Sequence, residues 1–326
     1  MKFKQTLSYW FKWLGLLFLW TRAGHLLGCL YKQFTHFILK TKIGRVLVFL
    51  SLPLALLFIA LWTPKYDLPI FDAQIHYDRA SWSRVPVEAI LNAAEELTVP
   101  WLLVGSIPNE GTWRLYNADP QRVIPMFVPA FRREDRNDWF NNTKILHDME
   151  EEIASGRYRG IGEVFLFDGH IDKPGVKRLV KLAAEHSLVL HCRSQPSAIR
   201  QLFALDSSLR ILWAHAGMFS QPEVINGMLD RYPRLWIEIS HRGDVAPRGK
   251  LDKKWRQLML RHSDRFLLGS GTYTTEYWYK FRTYMSRYRS WLKTLPREVA
   301  ERIAFRNGLV LFDISDNKGS DTGSIN

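Results

Sequence analysis

The chain has 326 residues, 47% of them hydrophobic, two cysteines, and a formal net charge of +13 at pH 7. That length supports one large domain plus an appendage, and two cysteines exclude a disulfide-stapled scaffold. Such a charge suits nucleic acid, but residues 1–66 carry nine basic residues and no acid, leaving only +4 for the rest. With no arginine-rich tract or recognition motif beyond them, nucleic acid is excluded as a partner.

Residues 7–39 are rich in Leu, Phe and Trp but are broken by Lys12, Arg22, His25 and Lys32. They suit either a basic amphipathic helix lying in a membrane interface or a poor first span. Residues 46–62 (VLVFLSLPLALLFIALW) are uncharged and almost wholly apolar, long enough to cross most of a hydrocarbon core. Pro53 is tolerable in a membrane helix. The run starts too late for a signal peptide and no small-residue cleavage site follows it, so a retained single-pass anchor is expected. Lys32, Lys40, Lys42 and Arg45 crowd its entry. That side is therefore expected to be cytoplasmic, with the remainder outside the cytoplasm on the periplasmic face of an inner membrane. The expected organisation is a basic segment 1–45, an anchor 46–62, a folded domain 67–314 and a polar tail 315–326.

After Pro64 short apolar runs alternate with helical patterns. Strands are predicted at 70–76, 99–106, 123–128, 160–167, 188–192, 210–216, 234–240 and 265–270. Helices are predicted at 87–97, 138–155, 174–185, 197–205, 222–231 and 251–261, with none between the second and third strands. Runs such as ILWAHA and FLLGS are continuous rather than alternating, as strands buried on both faces are. Eight of them alternating with helices fit a (β/α)8 TIM barrel. A doubly wound sheet would want a glycine-rich turn after the first strand, and His76-Tyr77-Asp78-Arg79 is not one.

Catalytic groups of a parallel barrel sit at the C-terminal ends of its strands. His76, Glu163, His191 and His215 fall at the ends of the first, fourth, fifth and sixth runs. Imidazole and carboxylate together suit zinc, with manganese as the second choice. Arg193 is two residues past His191 and so on the same side of the strand, where it repels a metal or pairs with Glu163. His241 and Glu276 stand where they could reach the mouth, and Trp82, Trp113, Tyr116, Tyr273 and Trp278 are candidates to line it.

In combination these motifs resemble the amidohydrolase superfamily, particularly its amidohydrolase-related branch. Asp72-x-Gln74-x-His76 is similar to that branch's first-strand D-x-H-x-H, and Gly160-x-Gly162-Glu163 to its fourth-strand G-x-G-E. Leu190-His191 and Ala214-His215-Ala216-Gly217 resemble the fifth and sixth strands. Residues 235–240 resemble the seventh, and 265–272 the eighth, normally R-F-x-x-G-S/T-D-T. Arg306-Asn307-Gly308 resembles the C-terminal asparagine signature. The resemblance spans roughly 69–312 and implies a metal-dependent hydrolase of a small polar substrate. Two departures fall on functional positions: Gln74 replaces a histidine, and Gly271 replaces the aspartate that binds metal and moves the proton. The resemblance therefore implies that one site of a two-metal pair is crippled while Glu163, His191 and His215 remain, with His76 as a fourth ligand or proton carrier. Two readings stay open. One is a single-metal hydrolase with His76 and His215 catalytic; the other is a metal-free pseudoenzyme serving as a binding or scaffold module. Nothing in the sequence excludes an oligomer.

Overall fold

The computed structural model describes residues 68–315. The predicted anchor 46–62, the segment before it and the tail beyond Ser315 lie outside the described residues. Among the described residues no helix is long and apolar enough to cross a membrane.

Eight parallel strands pair in sequence order: β1 (Phe71–Ile75), β2 (Trp101–Val104), β3 (Val123–Phe127), β4 (Gly160–Phe165), β5 (Val189–Arg193), β6 (Arg210–Trp213), β7 (Leu235–Glu238) and β8 (Phe266–Leu267). The ring closes between the last strand and the first. Ala73 N–H donates to Leu268 O at 2.8 Å, Gly271 N–H to Gln74 O at 2.9 Å and His76 N–H to Thr272 O at 2.8 Å. A (β/α)8 barrel results, as the alternating runs predict. Closure leaves no edge strand, and it explains the continuous apolar runs, because each strand faces the barrel interior on one side and a helix on the other.

A helix follows each of the first seven strands: α1 (Val87–Glu96), α2 (Glu110–Ala118), α3 (Thr143–Ala154), α4 (Pro174–Glu185), α5 (Pro196–Leu205), α6 (Pro222–Arg231) and α7 (Lys253–Arg261). Their starts are chemically marked. The Asn142 side chain accepts from the backbone of Lys144 and Ile145, the Asp252 side chain caps α7 in the same way, and α4, α5 and α6 each open with proline. In α3 the buried residues Ile145, Met149 and Ile153 recur every fourth position and face the sheet.

The sequence reading leaves β2 and β3 without a helix between them, yet α2 stands there. It buries only Gly111, Thr112 and Leu115, too short a stripe for periodicity to reveal. Gly111 lies so close to Tyr77 that a Cβ would come within 2.0 Å of its carbonyl oxygen. Most strands are shorter than the predicted runs, β6 and β8 among them. β6 stops at Trp213, and His215 and Ala216 turn out of it with φ of 54° and 48°. β8 is two residues long, its continuation hydrogen-bonding to β1 instead.

After β8 the chain forms α8 (Thr275–Tyr279), α9 (Phe281–Leu292) and α10 (Arg297–Glu301), then a wider turn over Arg302–Arg306 and α11 (Asn307–Leu311). Asn307 ties this region to the barrel, its amide donating to Ser263 O at 2.9 Å and Phe266 O at 2.8 Å. Its part in the C-terminal signature is thus to hold β8. Asn307→Ala strands two buried carbonyls, and a loss of about 1–3 kcal/mol in denaturant unfolding is expected. An unchanged unfolding midpoint would contradict that role.

Candidate functional site

His76 follows β1 directly, and its Nδ1 lies against Gly105 O at 2.5 Å. A carbonyl only accepts, so that nitrogen carries the proton and the Nε2 lone pair faces the barrel mouth. His215 is held in the same way. Its backbone N–H donates to Glu238 Oε2 at 3.0 Å, and its Nδ1 donates to Ser240 Oγ at 2.9 Å. Ser240 Oγ in turn donates to Gln74 Oε1 at 3.1 Å, which fixes the Gln74 amide with its NH₂ 3.5 Å from both imidazole Nε2 atoms.

Glu163 ends up between the two imidazoles. Its Oε1 is 3.2 Å from His215 Nε2 and its Oε2 is 3.6 Å from His76 Nε2, with all three side chains about 5% exposed or less. Neither approach is an aligned hydrogen bond, and Oε1 is a buried acceptor without a partner among the described residues. Two lone pairs and a carboxylate therefore confront one another, and a cation must lie among them. In the free protein that cation is a proton. Burial alone would raise the Glu163 carboxyl, but His215 and His76 hold it well below the usual carboxylate range. Burial alone would lower His215, but Glu163 and then Glu238 raise it, so a proton shared between the two is held more firmly on His215 than on a free imidazole.

His191 is buried beside this group without lining the cavity, and its Nε2 has no hydrogen-bond partner among the described residues. Burial pushes it down to about 3, so it is neutral with a free lone pair.

The donor set fits one divalent metal. His76 and His215 have their Nδ1 atoms tied to acceptors, the arrangement that aims Nε2 at an ion. The separations of 3.2 and 3.6 Å from the carboxylate are close to the roughly 3.3 Å edge of a tetrahedron of 2.0–2.1 Å bonds. His191 adds an orphaned nitrogen. These are the donor types a divalent metal takes, but among the described residues no group of three or more His, Cys, Asp or Glu side chains is placed to hold a metal ion.

A cavity of about 430 Å³ opens above Glu163, His76 and His215. Gln74, Arg133, Arg136, Phe165, Arg193, His241, Tyr273 and Tyr277 are also in its wall. The expected Arg193–Glu163 pair does not form. The Arg193 guanidinium lies 4.9 Å over the Phe165 ring, and both Glu163 oxygens are already faced by imidazoles. Glu276 does not reach the mouth, since Thr274 Oγ1 donates to it at 2.6 Å on the surface. Of the five aromatic candidates only Tyr273 lines the cavity. Trp82 and Trp278 pack on Tyr77, and Trp113 and Tyr116 pack on each other. Tyr277, which the sequence reading passed over, stands 4.5 Å from Tyr273.

His241 answers the question raised by Gly271. Its Nε2 is 3.2 Å from Gly271 O, and a Cβ on Gly271 would fall 2.3 Å from that same nitrogen. The imidazole thus fills the space that a side chain at position 271 would need. Tyr277 packs 5.2 Å from it and His215 5.0 Å, while Gly271 itself has φ +62°, where a side chain is strained. Burial pushes His241 down to about 4, and a protonated His215 adds to that.

Two further acids complete the site. Glu238 is fully buried and holds the turn at His215, its other oxygen accepting from Ser240 N. Asp72 is fully buried, accepting from Ser270 N at 2.8 Å and Gln74 N at 3.2 Å. The signal for Glu238 was in the sequence, a lone acid inside the apolar run LWIEIS.

No family model matches the sequence, and no curated protein matches it. Solved structures do match it in fold. A probable 2-pyrone-4,6-dicarboxylic acid hydrolase from Acinetobacter baumannii, with citric acid bound, superposes at TM-score 0.54 and 11% identity over 75% of this chain and 99% of its own. An amidohydrolase from Burkholderia multivorans with bound HEPES gives 0.52 and 12%, over 76% and 100%. A TatD homologue from Escherichia coli gives 0.54 and 13%, over 76% and 100%. These neighbours are amidohydrolase-superfamily barrels, and what the chain shares with them is the fold.

Two outcomes follow from the geometry. Gly271→Asp drives a side chain into His241, so a loss of about 1–3 kcal/mol is expected in thermal or denaturant unfolding. Pairing it with His241→Ala should recover part of that loss, and a neutral single variant would contradict the overlap. The second concerns Asp72, which burial raises from 3.8 to about 7. Between those values the unfolded chain releases the proton while the folded chain keeps it, so stability falls as pH rises through that window. Asp72→Asn should flatten this limb in unfolding midpoints measured across it, and an unaltered slope would assign the limb to other groups.

Proposed function

We propose that this chain is a hydrolase of the amidohydrolase type that uses one divalent metal, zinc first and manganese second, on a small polar substrate. The observation that carries the reading is that two imidazole Nε2 atoms flank one buried carboxylate, His215 at Oε1 and His76 at Oε2, with Oε1 left without a hydrogen-bond partner among the described residues. His76, Glu163, His191 and His215 would hold the ion. When bound, a metal of this kind acidifies a water and polarises the bond to be cleaved.

The chain's own groups supply the rest. Glu238 and Ser240 orient His215, and Gly105 orients His76. His241 takes over the aspartate's task of accepting a proton from the attacking water. It is neutral at pH 7, lines the cavity, and at about 4 has the basicity of the carboxylate it displaces. The substrate is a carboxylic ester, lactone or amide. Support for this class comes from the resemblance of the strand-end motifs and from the structural neighbours, among them a probable 2-pyrone-4,6-dicarboxylic acid hydrolase and an amidohydrolase. The membrane anchor at 46–62, and a barrel on the extracytoplasmic side of an inner membrane, are part of the proposal and rest on hydropathy and on the charges before the run.

A second reading, a metal-free binding module, draws on one observation: His215 Nε2 stands 3.2 Å from Glu163 Oε1, where a proton on the imidazole balances the carboxylate without an ion. Metal analysis separates the two. After chelation and reloading with zinc or manganese, the full chain should retain about one equivalent. Glu163→Gln or His215→Asn should abolish both retention and turnover of an ester and lactone panel. His241→Asn should keep the metal and lose roughly 10²-fold or more in turnover. Less than about a tenth of an equivalent in the native chain would sink the hydrolase and leave the binding module.

A further inference from the structure

The cavity holds more positive charge than the metal reading uses. Arg133, Arg136 and Arg193 all enter its wall, while Glu163 is the one carboxylate there and is already faced by two imidazoles. Arg133 is partly committed, its Nε 3.2 Å from Asp78 Oδ2 and its side chain 44% exposed. Arg136 and Arg193 are not committed. Both lie against the Phe165 ring, at 5.3 and 4.9 Å, and among the described residues no carboxylate reaches either. A flat apolar ring spreads the two guanidiniums without neutralising them.

Arg136 carries the more pointed observation. Its Nε and Nη2 are both buried and both lack a hydrogen-bond partner among the described residues. These two nitrogens form one edge of the guanidinium, the edge that receives two coplanar oxygens. Elsewhere in this chain Arg242 presents the same edge to Asp244, with both contacts at 2.8 Å. At Arg136 no carboxylate among the described residues meets that edge. Leaving two buried donors unmade, beside a second cation, is costly unless a ligand completes them.

Register sets where that ligand lies. Phe165 pairs with Arg193 across β4 and β5. Glu163 lies two residues earlier on β4, within the register shift between Ile161 and Val164, and lines the same cavity as Phe165 and Arg193. The arginine pair is therefore above the Glu163 group, two residues or roughly 6–7 Å along β4.

We propose that Arg136 and Arg193 form a carboxylate-binding subsite, and that the molecule taken by this cavity is a small organic acid. Its carboxylate sits on the Arg136 edge, and the bond presented to Glu163, His76 and His215 lies three or four bonds away. Only this last clause rests on the hydrolase reading, since binding requires no turnover.

Calorimetry on the chelator-treated full chain tests it, with glutarate and benzene-1,3-dicarboxylate as probes and the neutral diamide of glutarate and methyl phosphate as comparators. Both diacids should bind and weaken as salt is raised, and the diamide should not bind. Arg136→Gln should weaken the diacids roughly tenfold or more. Arg136→Lys should restore only part, because an ammonium lacks the planar edge. Arg193→Gln should weaken binding by a smaller factor and gives a second reading if Arg136→Gln does not fold. Glu163→Gln should abolish turnover while keeping or strengthening diacid binding. Loss of the hydrolase reading through absent metal therefore leaves this proposal standing. Diacids that bind no better than the diamide, native-like affinity in folded Arg136→Gln, or tighter binding of methyl phosphate than of either diacid would overturn it.

Discussion

Everything at the mouth of this barrel depends on one buried carboxylate that cannot stand alone. Glu163 is largely buried at the floor of the cavity and faces two imidazole nitrogens whose own protons are engaged on the far side of each ring. Without a cation among the three the arrangement is repulsive, and burying an unpaired charge is the most expensive thing a fold can do. The surroundings follow from that constraint. Gly105 fixes the tautomer of His76, the Ser240–Glu238 pair fixes that of His215, and the turn carrying His215 is bent at positive φ to bring it in.

The barrel provides these positions with little freedom. Closure between β8 and β1 brings Gly271 beside Gln74, and the register of β4 on β5 sets Phe165 beside Arg193. Gln74 and Gly271 are thereby neighbours in space. Gly271, at φ +62°, leaves free the volume that the His241 ring takes up from the loop after β7. Above this layer, two guanidiniums on one phenylalanine give the cavity a surplus of positive charge that a small anion would meet.

Much of this was legible in the sequence because barrels repeat. Continuous apolar runs gave the strands, and a donor at the end of a run gave His76, Glu163 and His215. What escaped depends on contacts rather than period. Helix α2 buries too short a stripe to show. His241 could be listed as a residue near the mouth, but only the overlap with Gly271 shows the space it fills. Whether Arg193 would pair with Glu163 or stay solvated was open in the sequence; its stacking on Phe165, two residues past Glu163 on β4, depends on the register of β4 on β5. Arg136 lies in a loop with no pattern, and its significance is two unmet hydrogen bonds that no spacing encodes.

The claim at the centre is that His76 and His215 present Nε2 to a cation on Glu163. Nitrogen-15 NMR of the imidazoles, with cadmium-113 titrated into the chelator-treated full chain, tests it most directly. The account predicts that Nδ1 of both rings stays protonated throughout and that cadmium couples to Nε2 of His76 and His215, with the coupling lost in Glu163→Gln. Coupling through Nδ1, or none at either ring at saturating cadmium, would contradict it.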